Sequence, residues 1–525
     1  MIDFKYLLVI CTVLLGGTLW LIKPTLGTQT KMQEKWLLTL LIGCCLLSLA
    51  HYTAFGEFHN LPKYGNQNFH PGEVYVYYMG SKYFKETGYF DLYACTSVAI
   101  REMNLEYPKA TTPHLFAIRN LKDKVSSLTP QEVWTQYMPE CHERFSPQRW
   151  VDFKNDLQTL FNIGAYDAWW RTTLFDAGYN SSPIFASLAS PVANLLPLAH
   201  TWNMIGYIDF LLIAIAACFI YRAFGLYPLL GFLLIFGTNE LSSYNWTGGS
   251  YFRHTWFASF IIALCLLKEK KYLWSGAVFA YSVGDRIFPL LFFVGALVPL
   301  AYGWFKTKGQ KSDIVPFVTG FSIAMCVLLL ISLKLYGLAS WQDFFANMKI
   351  HNGPFWIPHV GLKKALVYYP GIDPQNFWYE DGLVRFNAWN THLEAIFNSK
   401  KSIYAAIALF MCFGSVWVAR KKSPCLAALL VGGTLFYVFL LPARYYYIYL
   451  SLFPVVAYLS PSTIYNNIRL ALSFLLILIL LIIPMFPPDD ILLGIYFSYA
   501  LGAFFVLQIS TGLLEELTNN ENPPH

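Results

Sequence analysis

The sequence predicts an all-α polytopic membrane protein with about 13 transmembrane helices and a large extracytoplasmic first loop containing interfacial helices. Three observations predict it. Of 525 residues, 56% are hydrophobic and 13% charged, too apolar a balance for a soluble globular chain of this size. The apolar residues gather into runs of helical length separated by short basic clusters. Those clusters all fall on one side if each run crosses once, as the positive-inside rule requires.

Taken in order, the first run is Phe4 to Ile22, with Lys5 near its start. It resembles a signal peptide, but no small-residue cleavage site follows Trp20, so it is read as a retained helix. A linker with Lys23, Lys31 and Lys35 leads to the second run, Trp36 to Ala50, so residues 1–50 hold two N-terminal transmembrane helices. A linker that basic belongs in the cytoplasm, which leaves residues 51–200 outside as the largest polar segment. Residues 201–335 form a transmembrane core, with runs at Trp202–Tyr221, Leu226–Gly237, Phe252–Leu267, Tyr272–Gly284, Ile287–Phe305 and Val315–Leu335. Residues 336–402 are a second extracytoplasmic loop, whose Trp341, Phe344, Phe355, Trp356, Trp378 and Tyr379 suit short helices at the headgroup level. The C-terminal transmembrane helices occupy residues 403–511, with runs at Ile403–Ala419, Cys425–Leu441, Tyr445–Leu459, Leu470–Met485 and Ile491–Ile509. Residues 512–525 are a cytoplasmic tail, and the N-terminus is outside. Several runs fall short of the roughly 20 residues of a full span, so some helices are expected to be broken, tilted or sunk in a cavity.

The formal charge of +6 is scattered over loop clusters, which fits orientation in a bilayer rather than a nucleic-acid footprint. Eight of the ten cysteines lie in or beside apolar runs with no metal-binding spacing. Cys95 and Cys141 lie in the long polar loop. An oxidising compartment would allow them to pair, and two free thiols are the alternative. No phosphate-cradling glycine loop, zinc-protease helix or nucleophile elbow is present, which argues against nucleotide hydrolysis and common hydrolase chemistry.

The stretch around which the chemistry gathers is Phe69 to Phe84, FHPGEVYVYYMGSKYF. Pro71 suits a first helical turn, and Glu73 then sits at the positive end of the helix, where the macrodipole favours the ionised form. A helix here would place Glu73, Tyr77, Gly80, Ser81 and Phe84 on one face and lie along the membrane surface. A carboxylate that only opens a helix is the plainer alternative.

At the outer ends of other helices stand Arg253 with His254, Asp285 with Arg286, and Arg444. Ionisable groups at membrane depth are costly, and a guanidinium fork suits a phosphate. The alternatives are an internal Asp285–Arg286 pair closing a turn and a headgroup-snorkelling Arg444. The segment YDAWWRTTLFDAGYNSSP supplies Trp170, Asp176 and Asn180 as a carbohydrate subsite of aromatic face plus polar groups, although a loop folding back onto the membrane would look similar. Asn180 and Asn245 also match the short N-glycosylation pattern. His351 and His359, in KIHNGPFWIPHV, are too far from acids in sequence for a metal site and read as loop histidines.

Together these features resemble the GT-C superfamily of membrane glycosyltransferases, which take a sugar from a polyprenyl-phosphate donor on the extracytoplasmic side. As architecture the resemblance covers most of the chain. Its specific part is HPGEVYVYYMGSKYF, the helix ends GGSYFRHTWF and GDRIFP, and PARYYYIYLSLFP. It implies Glu73 as the catalytic acid of the family, acting here as a base, and Arg286 or Arg444 as donor-phosphate contacts, to which Arg253 and His254 are added from their position. Asp285, Tyr77, Asp176, Asn180 and Trp170 complete the expected substrate site. Two departures are evident: many members show paired acids where Glu73 stands alone, and an extra helix precedes the usual first one.

A phosphate leaves readily, so one base activating the acceptor hydroxyl suffices, and the two-carboxylate logic of glycosidases is not required. The expectation is an inverting transferase without metal or other cofactor, whose donor substrate is the lipid-linked sugar. Its expected partners are that donor, a glycan, lipid or protein acceptor, and the bilayer, with no nucleic acid. The expected setting is a bacterial inner membrane with the site facing the periplasm or exterior. A transporter or flippase of lipid-linked sugars is the rival reading, and a structural membrane subunit that positions a partner enzyme is a third.

Overall fold

The computed structural model describes residues 4–22, 31–61, 65–106, 116–163, 167–309, 312–369, 380–457, 463–486 and 489–521. Lys23, Trp378 and Tyr379, singled out in the sequence, lie outside these residues. Among them the chain is nearly all helical, interrupted by two short antiparallel hairpins, His59–Leu61 with Gly65–Gln67 and Ile118–Arg119 with Ser127–Leu128. Among the described residues, eight helices are long and apolar enough to cross a membrane: Phe4–Ile22, Lys31–Tyr52, Leu198–Phe224, Pro289–Lys306, Ile314–His351, Lys401–Ala419, Ile464–Met485 and Asp490–Thr518.

The shorter apolar runs fold as the helices Leu226–Thr238, Thr255–Lys268, Tyr272–Asp285 and Pro424–Phe439. Ten side chains of Thr255–Lys268 are buried, so this short helix is sheathed by protein instead of lipid. Small residues let backbones touch: a Cβ on Gly320 would stand 1.9 Å from the Leu273 carbonyl oxygen, and one on Gly276 would stand 2.0 Å from that of Phe317.

One expectation of helix shape is corrected. The run Tyr445–Leu459 is not one α-helix but a 3₁₀ helix, Arg444–Leu452, followed by the α turn Phe453–Ala457. Pro454 has no N–H to continue an α ladder and is tolerated only in a first turn. The run expected to end at Leu335 breaks at Gly337, whose φ of +75° is not helical, and a second helix follows the kink to His351.

The helix ends sort by charge. Arg222 and Lys271 meet Glu269 at 3.1 and 2.6 Å, and Lys422 and Arg469 meet Glu515 at 2.7 and 2.5 Å. Arg420 and Lys421 both reach Glu516 at 2.6 Å. The Cys425 thiol donates to the Leu264 carbonyl at 3.4 Å, which ties these groups to one end of the bundle.

At the other end, the residues between Tyr52 and Leu198 build a second core around the helices Leu92–Glu106, Pro130–Arg144 and Pro147–Ile163. The first two are joined by a Cys95–Cys141 disulfide with a Cα separation of 5.7 Å, which selects the paired alternative. The stretch Phe69–Phe84 does not lie along an outer surface: from Val74 to Phe84 every side chain is buried in this core. Polar partners inside explain it, since Lys82 pairs with Asp156 at 2.7 Å and the Tyr75 hydroxyl meets Thr96 at 2.8 Å. The helix is also interrupted, with an α turn Pro71–Val74, a π turn Tyr75–Met79 and a further α turn Gly80–Lys82. Such turns are frequent at functional sites.

Candidate active site

Glu73 owes its position to the short helix it opens. His70 caps that helix, its ring Nδ1 accepting the Glu73 N–H at 3.2 Å, and the His70 N–H donates to the Gly249 carbonyl at 3.1 Å. An accepting Nδ1 is unprotonated. Burial, then the Arg253 cation, hold the His70 pKa down to about 4, consistent with that state.

The Gly249 loop leads into Arg253, whose Nη1 donates to Glu73 Oε2 in an ion pair. Its guanidinium lies 4.7 Å from the ring centre of Tyr77 and 4.6 Å from that of Tyr445. Burial raises the Glu73 carboxyl above its ordinary value, and the Arg253 and Arg286 cations offset only part of that rise. The direction is opposite to the one the helix dipole alone predicts, because desolvation outweighs a dipole of one helical turn. The carboxylate keeps some access, with 19% of its side chain exposed.

Arg286 follows the helix Tyr272–Asp285 and stacks on the same Tyr77 ring, at 5.0 Å. One of its nitrogens donates to the Ser181 hydroxyl, while Nε and Nη2 are buried without a hydrogen-bond partner. Its nearest approach to Asp285 is 3.9 Å, too long for a closed pair, and Asp285 instead accepts the Thr255 hydroxyl at 2.5 Å. Arg286 is thus a buried cation with N–H groups to spare.

The Tyr77 hydroxyl donates to Asn180 Oδ1 at 2.9 Å, and Asn180 lines the first of two cavities at this end. The first, about 120 Å³, has Arg286, Asp285 and Asn180 at its polar side and Ile287, Phe288 and Phe436 among its apolar walls. The second, about 170 Å³, is lined by His70, Gly72, Glu73, Val76, Thr172, Thr173 and Asp176. The sequence leaves Glu73 alone. In space Asp176 shares its cavity, and burial together with the Glu73 charge raises the Asp176 carboxyl.

Three expected site residues are placed elsewhere. His254 turns inward, Nδ1 2.9 Å from Asp209 Oδ1, while Asp209 also accepts the Gly249 N–H at 2.9 Å. That pair braces the loop carrying Arg253. Arg444 stacks on Trp246 at 3.7 Å, and it is its neighbours Tyr445 and Tyr446 that line the first cavity. Trp170 is 1% exposed and edge-on to Tyr75 and Phe161 at 5.4 and 4.7 Å, so its faces belong to the core and offer no sugar platform. Asn180 is a wall of the first cavity bonded to Tyr77.

Sequence reasoning missed Asp209, an acid within an apolar run, which intramembrane cost alone would have flagged. It also set aside His351 and His359, which both line the first cavity. His359 bridges to Ala443, and the Arg444 N–H donates to the Pro358 carbonyl at 2.9 Å, so the two motifs form one wall. Among the described residues, no group of three His, Cys, Asp or Glu side chains is disposed to hold a metal ion. Comparison of the chain with protein-family models, with curated proteins and with solved structures finds no match.

Proposed function

We propose that the chain is an inverting GT-C-type glycosyltransferase that moves a sugar from a polyprenyl-phosphate donor to an acceptor hydroxyl. The observation that carries this reading is Glu73, a carboxylate of raised proton affinity that lines one cavity and is set against Arg253, while the nearby Arg286 lines a second, apolar-walled cavity. In the proposed topology the chain crosses a bacterial inner membrane about 13 times, and the end bearing Glu73 faces the periplasm or exterior. The basic clusters at the opposite end and the disulfide in the core that buries Val74–Phe84 support that orientation.

The donor's lipid occupies the cavity walled by Ile287, Phe288 and Phe436, with its phosphate at the free N–H groups of Arg286. The acceptor enters the cavity of Glu73. Its hydroxyl oxygen attacks the anomeric carbon as Glu73 takes the proton, the bond from that carbon to the phosphate oxygen breaks on the opposite face, and its electron pair departs with the lipid phosphate. Arg286 stabilises the charge that collects there. Arg253 fixes the position of Glu73, and Tyr77 aligns both arginines. Arg444 serves the site indirectly, by holding Tyr445 and Tyr446.

The test is Glu73→Gln in purified, lipid-reconstituted protein. Loss of a general base lowers transfer by about 10²–10⁴-fold. Transfer at the wild-type rate overturns the assignment.

A further inference from the structure

We infer that Asp209, on the apolar helix Leu198–Phe224, is a positioning residue that holds the Glu73 carboxylate and the Arg253 guanidinium against each other. The inference deepens the transferase reading by naming what keeps its base in place, and it rests on that reading only for the task Glu73 performs.

Asp209 is the one acid in that helix, and it lies in the buried stripe between Ile205 and Ile213, 2% exposed. A carboxylate there is costly unless its oxygens are engaged. Oδ2 accepts the Gly249 N–H at 2.9 Å, and Oδ1 lies 2.9 Å from His254 Nδ1. Each contact leads to Glu73 by a different route. Through the first, the Gly249 carbonyl accepts the His70 N–H at 3.1 Å, and His70 Nδ1 accepts the Glu73 N–H at 3.2 Å. Through the second, His254 is the chain neighbour of Arg253, whose guanidinium pairs with the Glu73 carboxylate. One route fixes the backbone of Glu73 and the other its charge partner.

The surroundings make both routes stiff. Gly206 stands one turn before Asp209 on the same face, and a Cβ there would be 1.9 Å from the Asn68 carbonyl oxygen. Tyr244 donates to that same oxygen at 2.5 Å. His59 Nε2 lies 2.8 Å from the Gly248 carbonyl oxygen, with its ring edge-on to His70 at 4.9 Å. Arg253 is 2% exposed and flanked by the Tyr77 and Tyr445 rings at 4.7 and 4.6 Å, which leaves its guanidinium little room to stay on Glu73 once its loop shifts.

The consequence is read at Glu73. Burial raises its carboxyl, and Arg253 is the larger of two cations that pull it back, Arg286 being the other. Asp176 and His70, which share its cavity, and Tyr77 and Tyr445, which interact with its charge, also face it. Loss of Asp209 releases Arg253 and raises the Glu73 carboxyl further. The direct effect of removing a nearby negative charge has the opposite sign, so the direction of the shift separates positioning from charge alone.

The test is an infrared pH titration of the detergent-purified full chain, following the protonated-carboxyl C=O stretch that Glu73→Gln removes. It needs no substrate. Arg253→Gln is expected to raise the titration midpoint by about 1–3 pH units. Asp209→Asn, which keeps an oxygen for the Gly249 N–H, raises it by at least about half a unit, and so does His254→Phe, which leaves Asp209 in place. In the double variant Asp209→Asn/Arg253→Gln the midpoint matches that of Arg253→Gln alone, because Asp209 acts through Arg253. A midpoint that is unmoved or lowered in either folded variant, Asp209→Asn or His254→Phe, overturns the inference, as does a double variant whose shift is the sum of the two. Glu73→Gln that transfers at the wild-type rate overturns the transferase reading and leaves the positioning standing. An unmoved midpoint with Glu73→Gln inactive overturns the positioning alone.

Discussion

Glu73 is the side chain whose protonation the chemistry depends on, and its environment sets a direction. Burial lifts its carboxyl above the ordinary 4.5. A base works only when deprotonated, so kcat/KM falls as pH is lowered through a value above 4.5, and the acid limb of the pH–rate profile reads it. An acid limb at or below 4.5 would assign the proton to another group. Arg286→Gln removes the N–H groups proposed to meet the leaving phosphate and lowers kcat by about 10²–10³-fold, with a smaller loss for Arg286→Lys, whose point charge lacks the planar fork. Trp170→Ala behaves differently: the ring packs between Tyr75 and Phe161, so the change costs about 3–5 kcal/mol of stability by thermal unfolding. The residue scale was only partly legible in the sequence. Residue type marked Glu73, Arg253 and Arg286 as chemically able, but burial decided that Trp170 is core and that His254 is spent on Asp209.

Elements place those side chains to within hydrogen-bond reach. The loop Asn68–Phe69 lies on Gly249, whose φ of +69° and missing Cβ allow the backbones to meet, and this contact brings Arg253 to Glu73. The disulfide between Leu92–Glu106 and Pro130–Arg144 closes a chain separation of 46 residues. Replacing Cys95 and Cys141 by serine therefore costs about 2–4 kcal/mol in the first loop, seen as a lowered melting temperature under non-reducing conditions. No change on removing both sulfurs would mean that the bond does not form in the native compartment. Helix identity was legible from apolar runs because a helix is a local pattern. The π turn at Tyr75–Met79 and the 3₁₀ stretch Arg444–Leu452 were not, since both depend on what the backbone packs against.

The whole molecule is a bundle with one basic, ion-paired end and one end that carries the cavities. Single cysteines introduced in a cysteine-free chain, tested in intact cells with a membrane-impermeant maleimide, check the proposed orientation: Glu57→Cys labels and Lys421→Cys does not. The reverse pattern would put the cavities in the cytoplasm and remove the proposed donor. A radiolabelled lipid-linked sugar in proteoliposomes separates the classes, since a transferase labels an acceptor and a flippase only moves the donor between leaflets.

By itself the sequence determined an integral membrane protein, nearly all helical, with its charges sorted to the helix ends. Hydropathy and charge act through neighbouring residues, and a bilayer reads them one segment at a time. Only the tertiary structure decided that Glu73 meets an arginine 180 residues away, that Asp176 shares its cavity, and that Arg253 and Arg286 lie over one Tyr77 ring. Those facts depend on distances set by packing between helices, and no local pattern in a chain encodes which of its distant side chains will touch.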